Sequence, residues 1–286
     1  STPSQFSEGM PKEGQFWTVF FPSLTAMVGF WATLSLNIPD FTRYCKTQRD
    51  QFLGQAIGLP PTMALFAFIG VAVTSATVVI FGEAIWDPVA LLGRMGGFAV
   101  VIALFALAVA TLTTNLAANV VAPANGFSNI SPGKISFKMG GYITAGIGIA
   151  IFPWKLLESA GDYIFIWLIG YSALLGPIAG ILIADYFLIR KTEMKVEDLF
   201  KKVGKYTYKG GWNPKALIAL ALGVAPNLPG FLVAAGLIDS APGFLVQLYT
   251  YAWFVGFFIS GGLYALLMWG ERNEGATLAE ARVVSD

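Results

Sequence analysis

Seven stretches of this chain are long and apolar enough to cross a hydrocarbon layer about 30 Å thick, a distance that takes about 20 helical residues. They fall at roughly 16–37, 57–81, 97–122, 139–153 with its flanks, 163–188, 214–238 and 247–269. Inside lipid no water meets an unpaired backbone group, so a spanning segment must satisfy its own N–H and C=O groups. An open sheet leaves an edge facing hydrocarbon, and a closed barrel needs an alternating pattern that these Ala-, Leu-, Gly- and Ile-rich runs lack. The sequence therefore predicts an all-α membrane protein. Charged residues make up only 12% of the 286, about half the share of a soluble domain. Pro153, Pro226 and Pro229 border or interrupt the fourth and sixth runs, where helix continuity is weakest.

Charge placement orients the spans. Arg43, Lys46 and Arg49 follow the first run, Lys134 and Lys138 the third, and eight basic residues from Arg190 to Lys215 the fifth. With Arg272 and Arg282 they make 15 of the 18 Lys and Arg residues, leaving Lys12, Arg94 and Lys155 opposite. Basic loops stay cytoplasmic, so the first run is expected to pass inward and the C-terminus to lie in the cytoplasm, under the plasma (inner) membrane. The expected division is an outer segment 1–15, a five-helix body 16–188, a cytoplasmic loop 189–213, two further helices within 214–270 and a tail 271–286. The outer segment begins at Ser1 without a signal sequence. The expectation is that an N-terminal part with an odd number of spans precedes it. A seven-span receptor with an exported N-terminus is the alternative.

What is missing narrows the chemistry. The chain has no histidine and one cysteine, Cys45, which excludes histidine relays, histidine metal sites and an internal disulfide. A net charge of +1 gives no basis for a nucleic-acid partner. No acid or base lies near the middle of a run. Asp185 sits at the inner end of the fifth run, in reach of Arg190, and reads as a structural pair. Asp40 sits three residues before Arg43 and reads as a local cap or pair. Without a nucleophile–base pair or a metal cluster the chain is not expected to be an enzyme. Neutral polar groups are left to handle any cargo.

Three positions stand out. Trp31 lies about two-thirds along the first run, deeper than an interfacial belt, and an indole face stacks well on a flat conjugated ring. Gly29 before it lowers helix propensity, so a break there would free backbone groups for a ligand. The alternative is a tryptophan packed on a neighbouring helix. In the third run, Ala110, Thr113 and Thr114 fall within an arc of about 100° on an ideal helix. Two hydroxyls and one carbonyl are oxygen ligands suited to a hard cation such as sodium, unless the threonines bond back to their own helix. Asn119 offers two donors and an acceptor among alanines and valines. That suits the alternating C=O and N–H edge of a nucleobase or ureide, or a helix–helix hydrogen bond. On a straight helix Asn119 points about 180° from Ala110, so either the two groups serve different faces or the helix is distorted. The faces Gly141/Ala145/Gly148 and Gly176/Gly180 read as close helix packing, and Pro60-Pro61 and Pro177 as kinks.

Three motifs resemble one known family. The run Gly29-Phe30-Trp31-Ala32-Thr33-Leu34-Ser35-Leu36-Asn37-Ile38-Pro39-Asp40-Phe41-Thr42-Arg43 is similar to the sixth span of the nucleobase:cation symport-one family, which includes hydantoin, allantoin, uracil and cytosine permeases. Ala110 to Asn119 is similar to its eighth span, and Leu175-Gly176-Pro177 through Asp185-Tyr186-Phe187-Leu188 to its tenth. The resemblance implies the five-plus-five inverted-repeat fold of the leucine transporter, with this chain as spans six to twelve, that is, the second repeat plus two extra helices. Spans one to five of the same protein would be its missing partner. It further implies that Trp31 stacks on the substrate, that the Phe30 backbone touches its ring, and that Asn119 hydrogen-bonds it. Ala110 (carbonyl), Thr113 and Thr114 would be the eighth-span half of a sodium site. Leu168 falls near a gating leucine, with a different spacing before Pro177, and relatives can carry Gly in place of Phe30.

The expected function is secondary active symport of a nucleobase or ureide such as allantoin, uracil, cytosine or hydantoin, coupled to sodium, with proton coupling open. A small heterocycle and the bilayer are its partners, and it needs no cofactor beyond the coupling ion. A seven-span sensor of a flat ligand and an amino acid permease of the same fold are the alternatives.

Overall fold

The computed structural model describes residues 16–152, 154, 166–201 and 203–272. The expected segment 1–15, the first residues of the fifth run and nearly all of the tail lie outside them. The described residues form two compact units, 37–152 and the remainder.

The first unit is framed by helices whose starts the sequence marks with capping side chains. Helix α1 runs Phe16–Asn37 and α2 Pro39–Thr42; α2 belongs here, and of α1 only its last residue does. Helix α3, Gln48–Phe81, begins nine residues before the expected run because Thr47 caps it by accepting from the Asp50 N–H at 3.1 Å. It continues through Pro60 and Pro61, where the Thr62 hydroxyl bonds back to the carbonyls of Gly58 and Leu59. It ends at Gly82, whose φ of 77° suits a residue without a Cβ. Helix α4, Pro88–Arg94, is capped by Asp87. The buried Thr77 anchors the turn before α4, accepting from the Ile85 N–H at 2.8 Å.

The third run is one long span with a defect. Helix α5, Phe98–Asn115, passes into a π-helical turn, Leu116–Val120, and then α6, Val121–Ile130. Helix α7, Phe137–Ala150, packs on α6. At about 1.5 Å per residue, its 14 residues cover about 21 Å, less than the hydrocarbon thickness. Helices α6 and α7 come close at Gly140, where a Cβ would stand 2.6 Å from the Ala124 carbonyl. The expected face Gly141/Ala145/Gly148 is therefore displaced, since a Cβ at Gly148 would meet nothing within 4 Å.

In the second unit α8, Ile169–Ile183, is the central element. It continues into a second π segment, Ala184–Ile189. Then come α9, Pro214–Val224, α10, Leu228–Ala234, α11, Gly243–Tyr249, and α12, Ala252–Leu267. Helices α8 and α12 share the most extensive helix–helix contact among the described residues. The Gly176/Gly180 face is as the sequence indicates: Cβ atoms there would collide with the Trp253 and Phe257 backbones. Ser260 on α12 donates to the Ala219 carbonyl of α9 at 2.9 Å.

The expected final run is not straight. Helices α11 and α12 meet at 92°, although no Pro or Gly stands at Thr250 or Tyr251. Packing supplies the bend. Tyr249 is buried against Phe231, facing Gly230, where a Cβ would overlap its ring, while Tyr251 packs on Phe21 of α1 at 5.5 Å. Five helical segments are each long and apolar enough to cross a membrane among the described residues, and the bent pair makes a sixth.

Gly176→Ala should destabilise the second unit by about 1–3 kcal/mol through overpacking, whereas Gly262→Ala, which faces open space, should be neutral. Thermal unfolding in detergent measures both, and equal midpoints for the two variants would contradict this packing.

Candidate functional site

In the first unit, Ala110, Thr113, Thr114 and Asn119 share the α5–π–α6 span. The Thr113 hydroxyl donates to the carbonyls of Val109 at 2.9 Å and Ala110 at 3.1 Å. That is the local back-bond expected of a membrane threonine, and it sets two oxygens side by side. The Thr114 hydroxyl makes no hydrogen bond among the described residues and remains open.

Asn119 is not alone. Its Nδ2 donates to Asn115 Oδ1 at 2.6 Å. Sequence reasoning passed over Asn115, although its i, i+4 spacing from Asn119 was visible. Asn115 directly precedes the π turn and Asn119 lies within it. A π turn accommodates about one extra residue, and one residue is worth about 100° of helix rotation. The distortion that the opposed projections of Ala110 and Asn119 call for is thus present, directly after Thr114.

Beside α2 the first unit contains a second polar pair. Asn125, 9% exposed, donates from Nδ2 to Asp40 Oδ1 at 2.9 Å. The expected local pairing of Asp40 with Arg43 is replaced by this contact across 85 residues. Arg43 turns instead to Tyr44, with its guanidinium 5.1 Å from the ring centre. Sequence distance favoured Arg43, but α2 packs on α6 and brings Asn125 to the carboxylate.

Trp31, Phe30 and Leu168 belong to the second unit. The break anticipated at Gly29 is absent, because Phe16–Asn37 is one continuous helix. Gly29 serves packing: a Cβ there would stand 2.7 Å from the Leu168 carbonyl and collide with the Ser172 hydroxyl. Phe30 is half exposed and Trp31 half-buried, their rings edge-to-face at 5.5 Å. Leu168, 4% exposed, sits in a core with Ala26, Ala173 and Tyr249. Ser172 donates to the carbonyls of Leu168 at 2.8 Å and Thr25 at 3.3 Å.

A cavity of about 340 Å³ in the second unit lies between the start of α8 and the α9–α10 junction, lined by Trp167, Tyr171, Phe231 and Asn227 among others. None of the anticipated residues lines it.

The acid of the fifth run is structural, as its neighbours suggest. Asp185 Oδ1 pairs with Arg190 Nε at 3.3 Å and accepts from the Tyr264 hydroxyl at 2.7 Å. Burial opposes the charge on Arg190, but Asp185 and the tyrosine oxygens outweigh it and raise its pKa above the ordinary value.

A family model described as a permease for cytosine/purines, uracil, thiamine and allantoin matches residues 4–256. A purine-uracil permease of Arabidopsis thaliana is 49% identical over 89% of this chain and 43% of that protein. An allantoin permease of Bacillus subtilis is 46% identical over 88% of this chain and 50% of that protein. A solved structure, an inward-facing conformation of Mhp1, aligns with a TM-score of 0.64 at 28% identity, covering 87% of this chain and 51% of that one. The chain spans about half the length of the relatives it matches. Its all-α architecture is the leucine-transporter type that the motifs imply.

The Asp40–Asn125 bond should behave as a charge-assisted contact worth about 1.5–3 kcal/mol. A double-mutant cycle of Asp40→Ala and Asn125→Ala, read by thermal unfolding, should return that coupling, and additive effects would show the pair to be incidental.

Proposed function

This chain belongs to the family of permeases for cytosine/purines, uracil, thiamine and allantoin, and from that premise we propose that it is part of a secondary active transporter coupling sodium entry to uptake of a nucleobase or ureide. The observation that carries the reading is the order of groups along one span. The Ala110 carbonyl and Thr113 hydroxyl lie 3.1 Å apart, Thr114 is open, and the Asn115–Asn119 pair follows at the π turn. An oxygen–oxygen separation near 3 Å suits neighbouring ligands of a hard cation bound at about 2.3–2.6 Å. The Thr113 proton lies on carbonyls, which leaves its lone pairs for the ion.

The amide pair supports the substrate class. With one Asn119 N–H given to Asn115, a carbonyl oxygen and further N–H donors remain side by side. They complement a planar edge in which C=O and N–H alternate. Uracil and allantoin, which appear in the names of two relatives, present such edges. Trp31 supplies a stacking face from α1, beside the Phe30 backbone, and Leu168 at the start of α8 acts as a gate. Coupling follows from linkage: an ion that favours one conformation raises affinity for a substrate that favours the same one. Because the ion and amide groups occupy consecutive turns of one span, a shift in one bears directly on the other. The concentration of basic residues on one side supports a cytoplasmic C-terminus in the plasma (inner) membrane.

In the full-length protein, Trp31→Ala should abolish uptake of labelled allantoin or uracil with membrane expression intact, and undiminished uptake would remove Trp31 from the site. Thr114→Ala should raise the sodium concentration for half-maximal uptake about tenfold, the equivalent of about 1.4 kcal/mol. An unchanged sodium titration would defeat the cation assignment.

A further inference from the structure

The segment between the second π element and α9 has a fold that helix packing does not require. Residues 190–213 carry seven basic and three acidic side chains. The guanidinium of Arg190, its side chain only 2% exposed, fastens the segment to the end of the span. It holds Asp185, donates to the Tyr208 hydroxyl at 2.8 Å and lies 5.2 Å from the Tyr206 ring centre. Tyr206 in turn accepts from the Lys195 N–H at 3.1 Å. Both halves of the loop are thus tied to one buried cation. Its far end is tied by Asn213, which caps α9 and reaches the Tyr264 hydroxyl at 3.4 Å.

A loop held in this way cannot swing into solvent, so its side chains stay near the ends of the two spans. Lys201 is used internally, paired with Asp198 at 2.8 Å. Lys191, Lys195, Lys205 and Lys209 are exposed, and among the described residues none of their ammonium groups has a carboxylate within ion-pair distance. Trp212, two residues before α9, is 67% exposed and pairs through its backbone with Lys209. Val196 and Val203 are exposed in the same loop. Exposed Trp at a span end marks the headgroup level, and free lysines at that level meet the negative potential of anionic lipids.

We propose that the 190–213 loop is a docking surface for an anionic bilayer, with Lys191, Lys195, Lys205 and Lys209 engaging lipid phosphates and Trp212 seated at the headgroup boundary. The four lysines are spread along the loop instead of converging on one cavity, which fits a charged plane better than a single small anion. Arg190 acts as the positioning residue, since it sets the height of the loop without facing the lipid.

The test is hydrogen–deuterium exchange of the full-length protein in nanodiscs of phosphatidylcholine alone or with 30% phosphatidylglycerol. Backbone amides of 195–212 should exchange at least about fivefold more slowly with the anionic lipid, roughly the partition effect of one lysine at such a surface. Salt at 0.5 M should remove the difference, because screening shortens the reach of surface charge. In the Lys191→Gln, Lys195→Gln, Lys205→Gln, Lys209→Gln variant the two lipid compositions should give the same exchange, with α8 and α12 amides unchanged. If that variant does not fold, the salt dependence of the unaltered chain decides the matter. Equal exchange in both nanodiscs, protection that survives salt, or protection that survives the four substitutions would overturn the proposal. So would equal protection by a soluble polyglutamate peptide in phosphatidylcholine nanodiscs, which would identify an acidic protein segment as the partner.

Discussion

A backbone group in hydrocarbon has no water to turn to, and that constraint accounts for most of what the side chains do here. The hydroxyls of Thr113, Thr144, Ser172 and Ser260 all end on backbone carbonyls. Once each helix is satisfied in itself, little drives helices together except close packing, since lipid tails are as apolar as leucine. Glycine then matters through what it lacks. Gly176 and Gly180 let the backbones of α8 and α12 nearly touch, Gly140 does the same for α7 on α6, and Gly29 admits α8 to α1.

Where the helical ladder is irregular, polar chemistry collects. The π turn Leu116–Val120 coincides with the Asn115–Asn119 pair, and the π segment Ala184–Ile189 holds Asp185 beside Arg190. A π turn loosens the regular bonding and re-aims the following side chains, which a straight helix does not allow. The first irregularity adjoins the threonines of the proposed site, and the second precedes the 190–213 loop. They lie in different units, yet both use a local change of helical pitch to present polar groups at a chosen angle.

Much of this was legible residue by residue. Thr47, Asp87, Ser136 and Asn213 cap the helices that follow them, as short polar side chains before apolar runs should. The Gly176/Gly180 face was visible as a period of four. Other features were not. Asp40 pairs with Asn125 because of how α6 returns, whereas sequence proximity pointed to Arg43. Gly29 signalled a break by its propensity, but the approach of Ser172 made it a packing site within an unbroken helix. The importance of Asn115 emerged only with the hydrogen bond that joins it to Asn119.

The sequence by itself determined that the chain is helical and membrane-embedded, with its basic residues gathered in a few loops and no charge near the middle of a span. These follow from local composition, because satisfying a backbone in lipid and placing a charge outside it are problems each segment solves alone. Tertiary structure decided the 92° turn between α11 and α12, the partner of Asp40 and the attachment of the 190–213 loop to Arg190. Each depends on which distant residue arrives within about 3–6 Å, the range in which hydrogen bonds and ring contacts act. That is a property of how the helices meet, and no single segment contains it.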